Sequence, residues 1–273
     1  MKDIGPIVAP IRAGLAAVEE AIARNSDPRL KVLAGGKRLR PSLLLFAARR
    51  GPGVDNDAVL LASTVEMVHT ASLIHDDIVD ESDRRRQAAA LHKIIGTRAA
   101  VIFADYLFVQ GLALLESIGR TSLVPEVVRE VRTMCEGQWL EMRVGAGRTC
   151  NERKYEEIIE KKTASLFAFC CRAGGQLRGA DEAELSALDE FGRSFGFAYQ
   201  LLDDAIDMAR DGGIEGPSGQ DCVERTIARR GGETCLRRRA LGFARRARSA
   251  ARKFADPVAR RGMTGLLKYV TEV

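Results

Sequence analysis

The chain has 273 residues, 46% of them hydrophobic and 29% charged, with a formal net charge of +5 at neutral pH. That length supports one large core or two modest ones, and the apolar fraction excludes a disordered or fibrous chain. The uninterrupted apolar runs, such as "PSLLLFAA" and "LVPEVV", are short and flanked by charge, so no membrane span is expected from them.

Period-2 alternation is scarce and helical spacing runs through the sequence. The opening "MKDIGPIVAPIRAG" carries an early Asp and prolines and does not read as a secretory signal. From there Ile11, Leu15, Val18 and Ile22 recur at steps of three and four, which predicts an amphipathic helix. Pro41, after "GGKRLR", suits a first helical turn. A long periodic segment runs from Asp57, read as its cap, to about Val79. Further helices are expected over Leu91–Leu115, Val124–Val144, Glu152–Gln176, Glu182–Met208 and Thr234–Phe254, with a short last one near Leu266. The breaks "GPGVDN", "SIGRTS", "GAGRTCN" and "DGGIEGPSGQ" have turn composition, and none is a long linker. The expectation is a single all-α domain over residues 1–273.

Two stretches carry the chemistry. "HTASLIHDDIVDESDRRR" sets Asp76, Asp77 and Asp80 on about one helical turn, where like charges repel, and "YQLLDDAID" repeats the cluster at Asp203, Asp204 and Asp207. Asp76 and Asp80 share a helix face with Ser72 and His69 nearby; Asp203 and Asp207 share one with Gln200 and Asp211. Both clusters lie in mostly apolar sequence, where several carboxylates are too costly without a cation to offset them. Six cysteines without CxxC spacing and three histidines without HExxH argue against zinc and fit reduced thiols in the cytosol. Oxygen-only ligands point to a hard ion, Mg²⁺ before Ca²⁺, and Mg²⁺ takes further ligands from substrate phosphates. A lone DDxxD is readily a charged helix end; two in apolar contexts are not.

Basic groups supply the other half of a diphosphate site: Lys37 and Arg40 after two glycines, Arg84, Arg85 and Arg86 behind the first cluster, and Lys161 and Lys162 beside Thr163. A separate arginine-dense segment runs from Arg225 to Arg261. Its plain reading is the solvated face of a long helix, with Leu236, Leu241, Phe243 and Phe254 buried; contact with anionic lipid is the sharper one. Nucleic acid is not expected, because no binding motif or aromatic platform accompanies the arginines.

The order "GGKRLRP", "HTASLIHDDIVDESDRRR", "KTASLF", "YQLLDDAID" resembles the trans-type isoprenyl diphosphate synthases, or polyprenyl synthetases, over nearly the whole chain. The resemblance implies a helical bundle around a deep hydrophobic cavity, usually a homodimer, with both Asp motifs at the cavity mouth holding three Mg²⁺. It implies ionisation of an allylic diphosphate and attack on its C1 cation by isopentenyl diphosphate, in the cytoplasm. Carried over, Lys37, Arg40, His69 and Arg86 would hold isopentenyl diphosphate, and Arg85 and Lys162 the allylic diphosphate. Asp76, Asp80 and Asp203 would be direct metal ligands; Asp77, Asp204 and Asp207 would be ligands or their supports. Thr163 and Gln200 would turn oxygen dipoles toward the allylic cation.

The sequence departs from the family at Gln87 and Ala89, where Gly and Pro are usual, and in "GQDCVERTIARR", where a lysine-bearing stretch is shortened and Arg225 is the nearby substitute. Ser72 and Ala71, one turn before Asp76, are too small to stop a growing chain; Val68 is a partial barrier, and Phe103 or Phe108 a deeper floor. That predicts a medium- or long-chain product. A short-chain synthase, a class I terpene cyclase and a partner-dependent subunit are the alternatives.

Overall fold

The computed structural model describes residues 3–25, 36–53, 55–85, 88–119, 122–147, 151–210 and 232–272. Its helices are α1 (Gly5–Val8), α2 (Arg12–Arg24), α3 (Leu39–Ala47), α4 (Asn56–Val79), α5 (Leu91–Ile95), α6 (Thr97–Glu116), α7 (Leu123–Gly147), α8 (Glu152–Ile159), α9 (Ser165–Arg178), α10 (Glu182–Arg210), α11 (Gly232–Ala251) and α12 (Pro257–Thr271). A two-stranded ribbon, Arg84–Arg85 against Ala88–Ala89, is the sole β-structure among the described residues. The all-α expectation holds.

Where boundaries differ from those read in sequence, a local cause is visible. The cap of α4 is Asp55 rather than Asp57: its extended backbone lets the side chain accept from the Asp57 and Ala58 amides. The expected Leu91–Leu115 helix breaks at Gly96, whose φ of 84° few other residues tolerate. The expected Glu152–Gln176 helix is interrupted by a widened π turn over Glu160–Ala164, where the Ser165 amide reaches back five residues to the Glu160 carbonyl. The short last helix is a full 15 residues, capped by Asp256 with Pro257 in its first turn.

Helices α3 and α4 are the centre. From Pro41 to Ala47 every residue of α3 is buried, and Phe46 packs so tightly on α12 that a Cβ at Gly262 would fall 2.2 Å from its ring. The largest apolar cluster joins α2, α3, α4, α6, α9, α10 and α12; a smaller one, built on Tyr155, Leu201 and Leu236, fastens α8 and α11 to α10. Two helices, α4 and α6, have the length and mean hydropathy of a membrane span. Polar interruptions such as Glu66 and Asp105 kept them from reading as uninterrupted apolar runs. Helix α4 spends that hydropathy in the core, whereas α6 leaves Ile102 68% and Val109 63% exposed.

Candidate active site

Helix α4 carries the first acidic cluster as a half-buried face: His69, Ser72, Asp76 and Asp80, one turn apart. Burial pushes the Asp76 carboxyl up to about 6; the Lys162 ammonium opposes the shift, and the charges of Glu141 and Asp80 add to it. Asp80 is raised for the same reason, against Lys162. Asp77 turns away from this face. It is buried and accepts from Arg85 Nη1 at 3.2 Å, so that it tethers the arginine ribbon beside the cluster. Arg85 therefore stands beside the acidic cluster, and its charge also acts on Asp76 and Asp80.

The π turn brings the opposing cation. Lys162 forms an ion pair with Glu141 of α7. Burial pulls the lysine's pKa down, but Glu141, Asp76 and Asp80 more than offset that pull and leave it raised. The approach of α7 requires Gly137, because a Cβ there would meet Lys161 Cβ at 2.8 Å and the Lys162 backbone nitrogen at 3.0 Å.

On the other flank the turn meets α10. Thr163 Oγ1 donates to Gln200 Oε1 at 2.9 Å, and Gln200 Nε2 donates to Asp204 Oδ1 at 2.8 Å. The Tyr155 hydroxyl donates to the other Asp204 oxygen. Burial lifts Asp204 to about 6, the two hydrogen bonds pull it back, and Asp203 and Asp207 push it further up. With both oxygens engaged, Asp204 stands behind Asp203 and Asp207, which are exposed on one face of α10. The chain Thr163–Gln200–Asp204–Tyr155 also sets the direction of the Gln200 dipole.

A third group lies where α3 enters. Arg40 Nη1 is 2.9 Å from His69 Nε2, and its guanidinium covers the Phe167 ring at 4.3 Å. Its Nε is buried without a hydrogen-bond partner, a donor that an anionic oxygen would satisfy. Lys37 is exposed, its ammonium 5.5 Å from the Tyr269 ring centroid. Between them Arg38 holds a left-handed backbone (φ 45°, ψ 37°), uncommon for a side-chain-bearing residue. Its guanidinium bonds Glu19 at 2.5 and 2.9 Å and the buried Glu66 at 2.5 Å. Arg86 and Arg225 lie outside the described residues.

Val68 and Ala71 are packed in the core, whereas Ser72 is half-buried with its Oγ donating to the His69 carbonyl at 2.8 Å. Of the three positions expected to limit chain length, Ser72 is therefore the one left partly open. Phe103 is buried and Phe108 half-buried on α6.

The donor set fits a hard divalent ion. It is carboxylate throughout, and the raised Asp76 and Asp80 lack enough neighbouring positive charge. Among the described residues no three acidic, His or Cys side chains close around a point by themselves. Mg²⁺ tolerates that, since it keeps waters and takes oxygens from phosphates. Sequence reasoning missed Glu141, Tyr155 and the Arg38–Glu66 pair. Glu141 had one available signal, the helix-interior Gly137 in "EGQWLE", which marks a close approach.

Residues 26–228 match the polyprenyl synthetase family model. The chain belongs to the polyprenyl synthetase family. It is 37% identical over 198 residues to a short chain isoprenyl diphosphate synthase of Methanothermobacter thermautotrophicus, covering 71% of this chain and 61% of that protein. Against the octaprenyl diphosphate synthase of Escherichia coli it is 34% identical over 220 residues, 78% of this chain and 68% of that one. Its structure resembles a decaprenyl diphosphate synthase from Rhodobacter capsulatus with a TM-score of 0.87 at 26% identity, covering 99% of both chains. As a polyprenyl synthetase the chain has the isoprenoid synthase fold, and the expectation of family and fold made from its motifs holds.

Proposed function

We propose that the protein is a prenyltransferase that joins isopentenyl diphosphate to an allylic diphosphate, head to tail and in trans, and releases a medium- or long-chain polyprenyl diphosphate. One observation carries this reading. The half-buried Asp76–Asp80 face and the Asp203–Asp207 face flank the Lys162–Thr163 turn, with the orphaned Arg40 donor beside His69. Three Mg²⁺ would be held by Asp76, Asp80 and Asp203, with Asp77, Asp204 and Asp207 as ligands or supports, and when bound would neutralise the departing diphosphate.

The chain's own residues do the rest. Arg40, Lys37 and His69, with Arg86, hold the diphosphate of isopentenyl diphosphate. Lys162 and Arg85 hold that of the allylic partner, Lys162 exchanging Glu141 for phosphate oxygen. Thr163 and Gln200 present oxygen lone pairs where positive charge develops at C1. The apolar wall of α4 and α6 keeps water from the cation. Arg225 is proposed to replace the missing lysine of the shortened stretch.

The same reading proposes one functional unit over residues 1–273, cytoplasmic and homodimeric. Exposed Ile102, Tyr106 and Val109 form an apolar strip on α6 of the kind a second copy covers. The free thiols of Cys135, Cys170, Cys171 and Cys235 are in keeping with a reducing compartment. The test is incubation of the purified protein with Mg²⁺, isopentenyl diphosphate and short allylic starters, read by mass spectrometry. Products lengthened by whole isoprene units are expected. Cyclised hydrocarbon from the allylic diphosphate alone, or turnover only after a partner is added, would overturn the reading.

A further inference from the structure

Helix α11 has two unlike faces. Leu236, Ala240, Ala244, Ala247 and Ala251 are buried against α10, and their small size lets the two helices pack closely. On the far side Arg238, Leu241, Arg245 and Arg248 follow one another at steps of three, four and three, so they form a single stripe about 15 Å long. Arg252 continues it into the turn that ends the helix. All four arginines are exposed, and among the described residues none has an ion-pair partner; Arg237 and Arg239, off the stripe, are bonded to Glu233 and to Glu152 and Glu156. Leu241, read from sequence as a buried residue of this helix, is instead 49% exposed in the middle of the stripe.

The charge is concentrated to an unusual degree. From Gly232 to Lys253 the chain has eight basic residues and one acidic, so this segment exceeds the whole chain's +5 and the remainder is net acidic. A merely solvated helix face would intersperse glutamates, as α8 does with "ERKYEEII". A flat row of unpaired arginines around one exposed leucine matches an anionic surface with an apolar layer beneath it.

We infer that the outer face of α11 docks the protein on an anionic lipid bilayer. A bilayer is favoured over other polyanions by the proposed product, whose prenyl tail is insoluble in water; that part rests on the proposed function, whereas the stripe itself does not. The attachment is peripheral and electrostatic, so it weakens with salt. Each arginine near such a surface is worth about a fivefold gain in partition.

The test is cosedimentation of the full chain with vesicles of phosphatidylcholine alone and of phosphatidylcholine mixed with phosphatidylglycerol, at low and physiological salt. Binding to the anionic vesicles only is expected, reduced more than tenfold in Arg245→Glu/Arg248→Glu and severalfold in Leu241→Asp. The charge-reversal variant should keep its circular dichroism and its turnover of soluble substrates. Equal sedimentation of wild type and variant, or none with anionic vesicles, overturns the inference. Duplex DNA competing as well as the vesicles at matched charge would overturn it too, in favour of a general polyanion surface. Turnover is measured separately: vesicle binding without condensation sinks the catalytic reading alone, and condensation without vesicle binding sinks only this one.

Discussion

Replacing Arg38 with alanine removes the cation that joins Glu66 of α4 to Glu19 of α2. The two side chains of the inner pair are 10% and 7% exposed, so the Glu66 carboxylate is left buried and uncompensated. Breaking a buried pair costs about 3–5 kcal/mol. The neighbouring positive charge of Arg40 places the expectation near the lower end, about 3 kcal/mol. The outer bond to the half-exposed Glu19 adds at most about 1 kcal/mol.

In thermal unfolding, about 3 kcal/mol is a fall of roughly 6–12 °C. Arg38→Gly should be milder than Arg38→Ala by about 1 kcal/mol, because glycine adopts the left-handed backbone without strain. In the double variant Arg38→Ala/Glu66→Gln most of the loss should be recovered, since no buried charge remains unpaired. Arg38 lies between Lys37 and Arg40, so the KM for isopentenyl diphosphate should rise more than that for the allylic substrate. The reasoning fails if Arg38→Ala loses under about 1 kcal/mol or if the double variant is simply additive.

Three further outcomes are expected. Asp76→Asn and Asp203→Asn should each remove most turnover while circular dichroism stays unchanged, and chelator should stop the wild type until Mg²⁺ is restored; full activity in either variant refutes its metal role. For the metal-free protein, the Asp76 pKa of about 6 lies above its ordinary 3.8, so the folded state holds the extra proton between those values. This carboxyl's contribution to stability should therefore be fully present below its ordinary 3.8 and be lost as pH rises through about 6, a slope that Asp76→Asn should flatten in chelator-treated thermal melts; an unchanged slope would show that the carboxyl is not buried as described. Ser72→Phe should shorten the product to three or four isoprene units, while wild type exceeds four; identical product-length profiles would place the floor elsewhere, at Phe103 or Phe108.

Much of this protein is local and was therefore legible in its sequence. Apolar residues at 3.6-residue spacing specify helices α2, α4, α7 and α10 wherever they pack, and the same period puts Asp76 with Asp80 and Asp203 with Asp207. The tertiary structure decided what each carboxylate touches. The helical period already separates Asp77 from Asp76 and Asp80, but only the fold buries it and bonds it to Arg85. Asp204 is withdrawn in the same way by Tyr155, 49 positions away, and Lys162 is aimed by Glu141, 21 positions away. The π turn arose inside a sequence that reads as uninterrupted helix, because close packing of α7 and α10 on the turn, rather than any local breaker, accompanies it. Likewise Leu241 matches a buried helical position by composition and is exposed because, among the described residues, the buried side of α11 is taken by Leu236 and the alanines. Periodicity is a property of adjacent residues; ion pairs, burial and the choice of facing helix depend on contacts between distant ones, so they exist only once the chain has folded.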